Sequence, residues 1–386
     1  MKLGIRAPVC SLTGYAETAR SIIAGLDKLG VDIYLDMVDK DMYESSKPAL
    51  TTELTETLDR ITRPIPRKVP VFTIGTPVQY YTHPDHFKIG IGLFEAYGIP
   101  QAWLMQMNKM QLLLTFSEFN REVFIKHGIN KERIEVIPPA VDSTRFHPNV
   151  LPFYVHAVRP FTILFLGQLI LRKGWDKLLI AALRAFGRFE DVCVLLKLPP
   201  VYYEAQTSEM ISKIRAVKEE AGSSKVPVYF NNLAIPVEKI PRVYQIPRQT
   251  LRGHKYPHLA KGIRGVFALP SLSEGIGLPY LEAMASGLLV LGTNTTGSSF
   301  LTARNSVIVE AGPPRRDLRL EMEATLYRGA PFPSISSDAV ADALRRAYEM
   351  NEVDSQKITR QARREVESYT YENCSKLILQ HIQNHL

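Results

Sequence analysis

Two carboxylates and three glycines share one short stretch of this chain, Ser273-Glu274-Gly275-Ile276-Gly277-Leu278-Pro279, which runs on through Glu282 to Gly287. Gly275 and Gly277 let the backbone approach a ligand with no side chain in the way. Pro279 suits the first turn of a helix, where its missing N–H costs nothing. Free N–H groups at a helix N-terminus, with the dipole, suit a phosphate or diphosphate, an effect of roughly 0.3–2 kcal/mol that needs cationic partners. Glu282 falls about one turn into that helix, where a carboxylate can accept hydrogen bonds from ribose hydroxyls. A glycosidase pair is a competing chemistry. Eight residues of helix rise span roughly 12 Å, whereas glycosidase carboxylates sit about 5–9.5 Å apart, which disfavours hydrolysis. The cations nearest in character are Arg172 and Lys173, in a turn closed by Gly174. His83 and His86, within Tyr80-Tyr81-Thr82-His83-Pro84-Asp85-His86, have poor spacing for a helical metal pair and no evident third ligand. They predict no metal site.

These residues need elements to hold them. Strand-like apolar runs alternate with amphipathic runs of helical length, which reads as α/β with parallel sheets. Lys2 to Val9 reads as a strand, Ser11 to Tyr15 as a turn holding Gly14, Ala16 to Leu29 as a helix and Val31 to Val38 as a strand. The pattern restarts with the apolar run Phe161 to Gly167, the Arg172-Lys173-Gly174 turn, a helix over Trp175 to Phe189 and a strand over Val192 to Leu198. Later come a strand at Val266 to Ser271, a helix at Tyr280 to Ser286 with Gly287 as its stop, a strand at Leu288 to Gly292 and a terminal helix at Asn373 to Leu386. Two such series imply two doubly wound domains joined by the proline-rich stretch Pro138 to Pro148. Ligands of doubly wound sheets bind at the carboxyl ends of the strands, and the cleft between two such domains is the default active site. The expected boundaries are 1–150, 151–368 and a terminal helix over 369–386 that crosses back to the first domain.

The chain has 386 residues, 45% hydrophobic and 22% charged, which permits a large core without staples. Its three cysteines, Cys10, Cys193 and Cys374, are far apart, which excludes a disulfide framework and suggests a reducing compartment. No signal-like apolar segment and no apolar run of membrane-spanning length is expected. The location expected is therefore cytoplasmic, with peripheral contact at an anionic membrane permitted by the net charge of +8. That charge also suits nucleotides or nucleic acid. No RRM, zinc-finger or helix-turn-helix pattern favours nucleic acid.

Ser273 to Gly287 resembles the E-x7-E signature of the "group 1" family of retaining glycosyltransferases, which have the GT-B fold. The likeness continues at Phe165 to Asp176, which is similar to the family's donor-phosphate turn. Ser117 to Phe124, Val136 to Asp142 and Phe146-His147-Pro148 resemble its last helix of the first domain and its linker. Thr293 to Gly297 and Tyr369 to Asn373 match the segment after the second signature strand and the start of the terminal helix. The resemblance implies two Rossmann-like doubly wound domains facing a central cleft. Glu282 would hold the donor ribose. Glu274, with the backbone of Gly275, Ile276, Gly277 and Leu278, would lie against donor sugar and diphosphate. Arg172 and Lys173 would neutralise the leaving diphosphate, and Gly14 would sit at the glycine turn facing the phosphates. Phe94-Glu95-Ala96-Tyr97-Gly98-Ile99-Pro100 resembles an acceptor-side segment, which would place Glu95 beside the reacting hydroxyl. The stretch Tyr80 to His86 is separately expected as a loop at the cleft rim, with His83 on the acceptor side.

The implied reaction moves a hexose-type sugar from a UDP- or GDP-sugar to a hydroxyl of a glycan, lipid-linked or protein-linked acceptor, with retention. No cofactor, essential metal or nucleic acid is expected. Asp39-Lys40-Asp41 has the Asp-x-Asp form that binds a metal in the other major glycosyltransferase fold; here it is expected to be a solvated loop. Two departures stand out: Gln168 occupies a position where many members carry Arg, and Gly297 to Leu301 lacks a Glu that members often have. Residues 247–261, with His254 and His258, read as an inserted surface loop. The rival readings are a GT-B nucleotide-sugar epimerase or phosphorylase, for which no pyridoxal lysine is identifiable, and a non-catalytic basic protein that binds nucleotides or nucleic acid.

Overall fold

The computed structural model describes all residues except 12, 48–49, 157, 188–190, 201–203 and 249–263. The chain divides into two compact units. One comprises Met1–Val141, Pro236–Glu238 and Ser368–Leu386; the other comprises Asp142–Ile235 and Lys239–Glu367.

The first unit contains β1 (Lys2–Ala7), α1 (Gly14–Lys28), β2 (Asp32–Met37), α2 (Tyr43–Ser46), α3 (Thr52–Ile61), β3 (Val71–Thr73), β4 (Lys88–Ile91), α4 (Gln101–Met107), β5 (Leu112–Thr115), α5 (Glu118–Lys126) and β6 (Ile134–Val136). Its six strands run parallel in the order β2-β1-β3-β4-β5-β6. Leu3, Ile5, Val71, Phe72, Ile89, Ile91, Leu112 and Leu114 are all buried, as parallel strands covered on both faces require. The first strand stops at Ala7, two residues short of the apolar run, because the Val9 N–H turns to the Asp39 carboxylate rather than to a neighbouring strand.

The second unit contains β7 (Phe161–Leu166), α6 (Trp175–Ala185), β8 (Val192–Lys197), α7 (Glu204–Ala221), β9 (Val228–Asn231), α8 (Pro241–Tyr244), β10 (Arg264–Leu269), α9 (Leu278–Ala285), β11 (Leu289–Gly292), β12 (Val307–Ile308), β13 (Gly312–Arg315), α10 (Leu318–Glu323), β14 (Phe332–Ser334), α11 (Ser337–Glu349) and α12 (Glu352–Glu367). Its main sheet is parallel in the order β12-β11-β10-β7-β8-β9. Counted from β7, that is the 3-2-1-4-5-6 order of dinucleotide-binding sheets. β13 and β14 form a separate antiparallel pair. α6 ends at Ala185, short of the expected Phe189, because Gly187 follows with too little helical preference to extend it.

The unit boundary falls at Val141/Asp142 rather than at 150. Residues after 141 pack on the second unit: the Phe146 ring meets Tyr244 edge-on at 5.7 Å, and Gln245 Nε2 donates to the His147 carbonyl at 3.1 Å. The last helix, α13 (Tyr371–His385), belongs to the first unit. It is capped by Thr370, whose side chain accepts the Asn373 N–H at 3.1 Å. It lies so close to α1 that a Cβ on Gly25 would sit 2.3 Å from Ser375 Oγ. The proposed insertion at 247–261 falls mostly outside the described residues; Ile246–Arg248 forms a 3-10 turn.

Candidate active site

The strand order decides where the second unit gathers its polar residues. The chain leaves β7 toward β8 and leaves β10 toward β11, in opposite directions from adjacent strands. Loops beyond the carboxyl ends of such a pair open a crevice. The loop after β7 carries Arg172 and Lys173, and the loop after β10 carries Ser273 to Gly277, so residues 101 apart in sequence meet.

Backbone geometry fixes this meeting. Leu171–Lys173 forms a 3-10 turn ended by Gly174, which is left-handed at φ 65°. A Cβ there would lie 1.9 Å from the Pro270 carbonyl oxygen, so only glycine lets the two loops touch. The Leu272 N–H and the Ser271 hydroxyl donate to the Arg172 carbonyl at 2.8 and 3.0 Å. The Arg172 guanidinium in turn donates to the Ser273 carbonyl at 2.6 Å.

Glu274 sits at the centre, 4% exposed. Lys173 Nζ donates to its two carboxylate oxygens at 2.7 and 2.8 Å, and Arg172 Nη1 lies 3.6 Å away. Burial alone would raise the Glu274 carboxyl. The charges of Lys173 and Arg172, with hydrogen bonds from Lys173 and Ser271, outweigh it and hold the carboxyl below its ordinary value of 4.5. Two cations thus face the Glu274 carboxylate, and the Glu323 carboxylate also lies within electrostatic reach of Arg172.

The adjoining turn locks the glutamate's backbone. Thr296 has φ 56°, a left-handed conformation that a β-branched residue adopts only under constraint. Its hydroxyl accepts the Glu274 N–H at 2.9 Å, and the Gly297 N–H donates to the Glu274 carbonyl at 2.9 Å. A Cβ on Gly297 would come 2.2 Å from the Gly275 carbonyl oxygen.

α9 starts immediately beyond. Its cap residue Gly277 is left-handed at φ 80° and supplies no side-chain hydrogen bond; Pro279 has no N–H and the Tyr280 N–H donates to the Gly277 carbonyl at 2.9 Å, so among the described residues the Leu278 N–H is the first-turn donor left for an anion. Leu278 and Pro279 open the helix, and Gly287 closes it at φ 73°. Ile276 is buried between these loops. Glu282, one turn along, accepts the Tyr244 hydroxyl on Oε2 at 2.5 Å. Burial, then the Glu282 charge and hydrogen bond, push the Tyr244 phenol well above its ordinary value, so it remains a donor. Sequence reasoning missed Tyr244, which ends a short proline-led helix and carries no motif. It also missed Thr296 as a strained support. Gln168, at the position of the expected arginine, is exposed.

In the first unit, Gly14 is the exposed first residue of α1, behind Thr13, whose hydroxyl accepts the Ala16 N–H at 3.3 Å. The expectation that Asp39-Lys40-Asp41 is a solvated loop needs correction. Asp41 is exposed, but the Asp39 carboxylate accepts the N–H groups of Val9, Cys10 and Ser11 at 2.9, 2.9 and 3.0 Å. Arg20 takes the opposite side of the same loop, donating to the carbonyls of Val9 and Ser11 at 2.9 and 3.0 Å. Glu95 is half-buried in the segment after β4, and His83 is exposed in the β3–β4 connection. His86 is buried, with Nδ1 2.7 Å from the Val69 carbonyl, a structural role. Among the described residues no group of three or more His, Cys, Asp or Glu is placed to hold a metal ion, and no helix is long and apolar enough to cross a membrane.

Residues 257–319 match the family model described as "Glycosyl transferases group 1". A D-inositol 3-phosphate glycosyltransferase of Pseudarthrobacter chlorophenolicus is 29% identical over 197 residues. That match covers 49% of this chain and 40% of the relative, less than half of the curated protein's length. Anabaena HepE, solved in complex with UDP and glucose, superposes with a TM-score of 0.66 at 12% identity over 100% of both chains. A glycosyltransferase from Rickettsia africae gives 0.66 at 16% identity over 100% of this chain and 98% of that one. The fold is GT-B. Each of its Rossmann-like sheets is described above, and the family match covers both the loop after β10 and α9.

Proposed function

We propose that this protein is a retaining glycosyltransferase that moves a hexose-type sugar from a UDP- or GDP-sugar to a hydroxyl of a glycan, lipid-linked or protein-linked acceptor. One observation carries the reading. A largely buried Lys173–Glu274–Arg172 cluster stands at the carboxyl ends of β7 and β10, directly before a helix that lacks a side-chain cap and carries a second carboxylate, Glu282. A nucleoside diphosphate fits that set: anionic phosphates for the cations and the Leu278 N–H, and a ribose diol for Glu282. The UDP complex of HepE, which has this fold, supports the donor class.

The chemistry follows from charge. Departure of the nucleoside diphosphate breaks the bond between the sugar's anomeric carbon and the β-phosphate oxygen, and the electron pair goes to that oxygen. Lys173 and Arg172 are held in advance where this charge grows, and preorganised partners of that kind supply a large part of catalysis. Glu274 pairs with both cations, and its carboxylate would meet the donor sugar once Lys173 turns to the diphosphate. The acceptor hydroxyl would attack from the face the diphosphate leaves, giving its proton to the departing phosphate oxygen, so that configuration is retained. We assign the acceptor to the first unit, with Glu95 and His83 beside it and Gly14 at its phosphate turn. We assign no metal, so transfer should persist in EDTA.

A thermal-shift screen with UDP, GDP, ADP and their sugars tests this reading. A ligand at 100 times its dissociation constant should stabilise by about 2.7 kcal/mol. A protein that shifts with none of them is not the transferase described.

A further inference from the structure

Between β12 and α11 the chain makes an excursion, Gly312 to Ser334, built from the β13–β14 pair and α10. α10 is anchored by the buried Leu320 and by Asp317, whose carboxylate accepts the Arg319 N–H at 2.9 Å; an Arg316–Glu321 ion pair at 2.9 Å braces it. Its last residue, Glu323, reaches a loop 152 residues earlier. Both Glu323 carboxylate oxygens accept the Leu171 N–H, at 3.0 and 2.9 Å. Leu171 opens the 3-10 turn whose next two residues are Arg172 and Lys173. The residue at that turn's own cap position, Ile170, makes no side-chain cap bond and has no polar atom with which to make one. An N–H at a helical N-terminus needs an acceptor, and a carboxylate is the best available.

We infer that Glu323 is a positioning residue: it caps the cation-bearing turn from outside and so sets Arg172 and Lys173 for the donor diphosphate. This rests on the donor reading proposed above. The cationic turn is thus held from two sides, by the Pro270–Ser273 loop through Arg172 and by the excursion through Glu323. Partial desolvation raises the Glu323 carboxyl from its ordinary value, against which the Leu171 N–H works. The charges of Lys213 and Arg172 act in the same direction as the Leu171 N–H.

The test compares Glu323→Ala, which removes the acceptor, with Glu323→Gln, which keeps an amide oxygen in its place. Met322→Ala, at a neighbouring position 78% exposed, controls for α10 itself. In the free protein, hydrogen exchange at the Leu171 amide should quicken in Glu323→Ala and return toward the parent rate in Glu323→Gln. In calorimetry, Glu323→Ala should bind UDP about 5- to 30-fold more weakly, the size of a lost cap, with a smaller loss for UMP, which lacks the second phosphate. Glu323→Gln should recover most of the UDP affinity, and Met322→Ala should match the parent. Unchanged exchange in Glu323→Ala overturns the cap. Faster exchange with parental UDP affinity, or with equal losses for UDP and UMP, overturns the positioning role. If the parent protein binds no nucleoside diphosphate, the donor reading falls, and with it the purpose assigned to Glu323, whereas the exchange data still decide whether the cap exists.

Discussion

Glu274 illustrates how one side chain can serve both structure and chemistry. Its carboxyl is held below 4.5, so its ion pairs contribute stability above that value and lose it as pH falls through the depressed folded value. Glu274→Gln should therefore melt below the parent at pH 7, by on the order of 1–3 kcal/mol; this is under the about 3–5 typical of breaking a buried pair, because a Lys173 freed of its partner can reach solvent. The gap should close as pH drops below the carboxylate range, and melting curves across pH 3 to 7 on the two proteins check this. A gap that stays constant would mean the carboxylate is not ionised in its site. At Glu282 the Tyr244 hydroxyl donates to the carboxylate, so Glu282→Ala removes the proposed ribose ligand and also strands a buried hydroxyl. A double-mutant cycle with Tyr244→Phe should show a coupling of about 0.5–3 kcal/mol in stability, whereas additive losses would deny the hydrogen bond its weight. Asp39→Ala should cost stability in the first unit through three stranded N–H groups and leave nucleotide affinity at the parental level, which paired melting and binding measurements resolve. The carboxylates, glycines and cations of the second unit were legible in sequence because they stand in compact local motifs. Tyr244, Asp39 and Glu323 were not, since each acts on a backbone or side chain 28 to 152 residues away that only folding brings near.

Elements place these residues through a few backbone positions where only glycine serves. Gly174 and Gly297 each stand where a Cβ would fall about 2 Å from a carbonyl oxygen of the loop that carries or precedes Glu274. Gly222, by contrast, has φ 87° with open space around it. Gly222→Ala should cost about 1–2 kcal/mol, the left-handed penalty alone. Gly174→Ala should cost clearly more and should also lower donor affinity, because the turn bearing Arg172 and Lys173 must retreat from β10. Urea unfolding and nucleotide titration of the two variants make the comparison, and equal costs would mean the loop contact carries little. The alternation of apolar runs and helical patterns revealed the first two strands of one sheet and four of the other, with boundaries mostly within two residues, whereas the short strands β3 to β6, β9 and β12 escaped it. The departures have local causes: β1 stops two residues early where Asp39 takes over the backbone N–H groups, and α6, the one larger departure, stops before Gly187. The excursion of β13, α10 and β14 escaped notice because its segments are short and its strand Gly312–Arg315 reads Gly-Pro-Pro-Arg, a sequence with turn character.

At the scale of the whole molecule, the chain order and the spatial order differ in one respect that has a cost. α13, the last helix, is part of the first unit and covers α1, whose Ile22, Ile23 and Leu26 are buried. Deleting residues 368–386 should destabilise the first unit selectively, exposing its β1–α1 region to proteolysis while the second unit keeps its resistance; uniform loss across both units would contradict the division. The parallel strand order of the second unit explains why the loops after β7 and β10 bring Arg172, Lys173 and Glu274 together. The central claim is that this gathering is a nucleoside-diphosphate-sugar site built on Glu274, Lys173, Arg172 and Glu282. Isothermal titration of the protein with UDP and GDP, beside variants Lys173→Met and Glu282→Ala, addresses it most directly. The account predicts saturable binding of at least one diphosphate, weakened about tenfold or more in each variant, as the loss of a charge-assisted hydrogen bond of about 1.5–3 kcal/mol requires. Absence of binding, or binding that both variants leave unchanged, would contradict it.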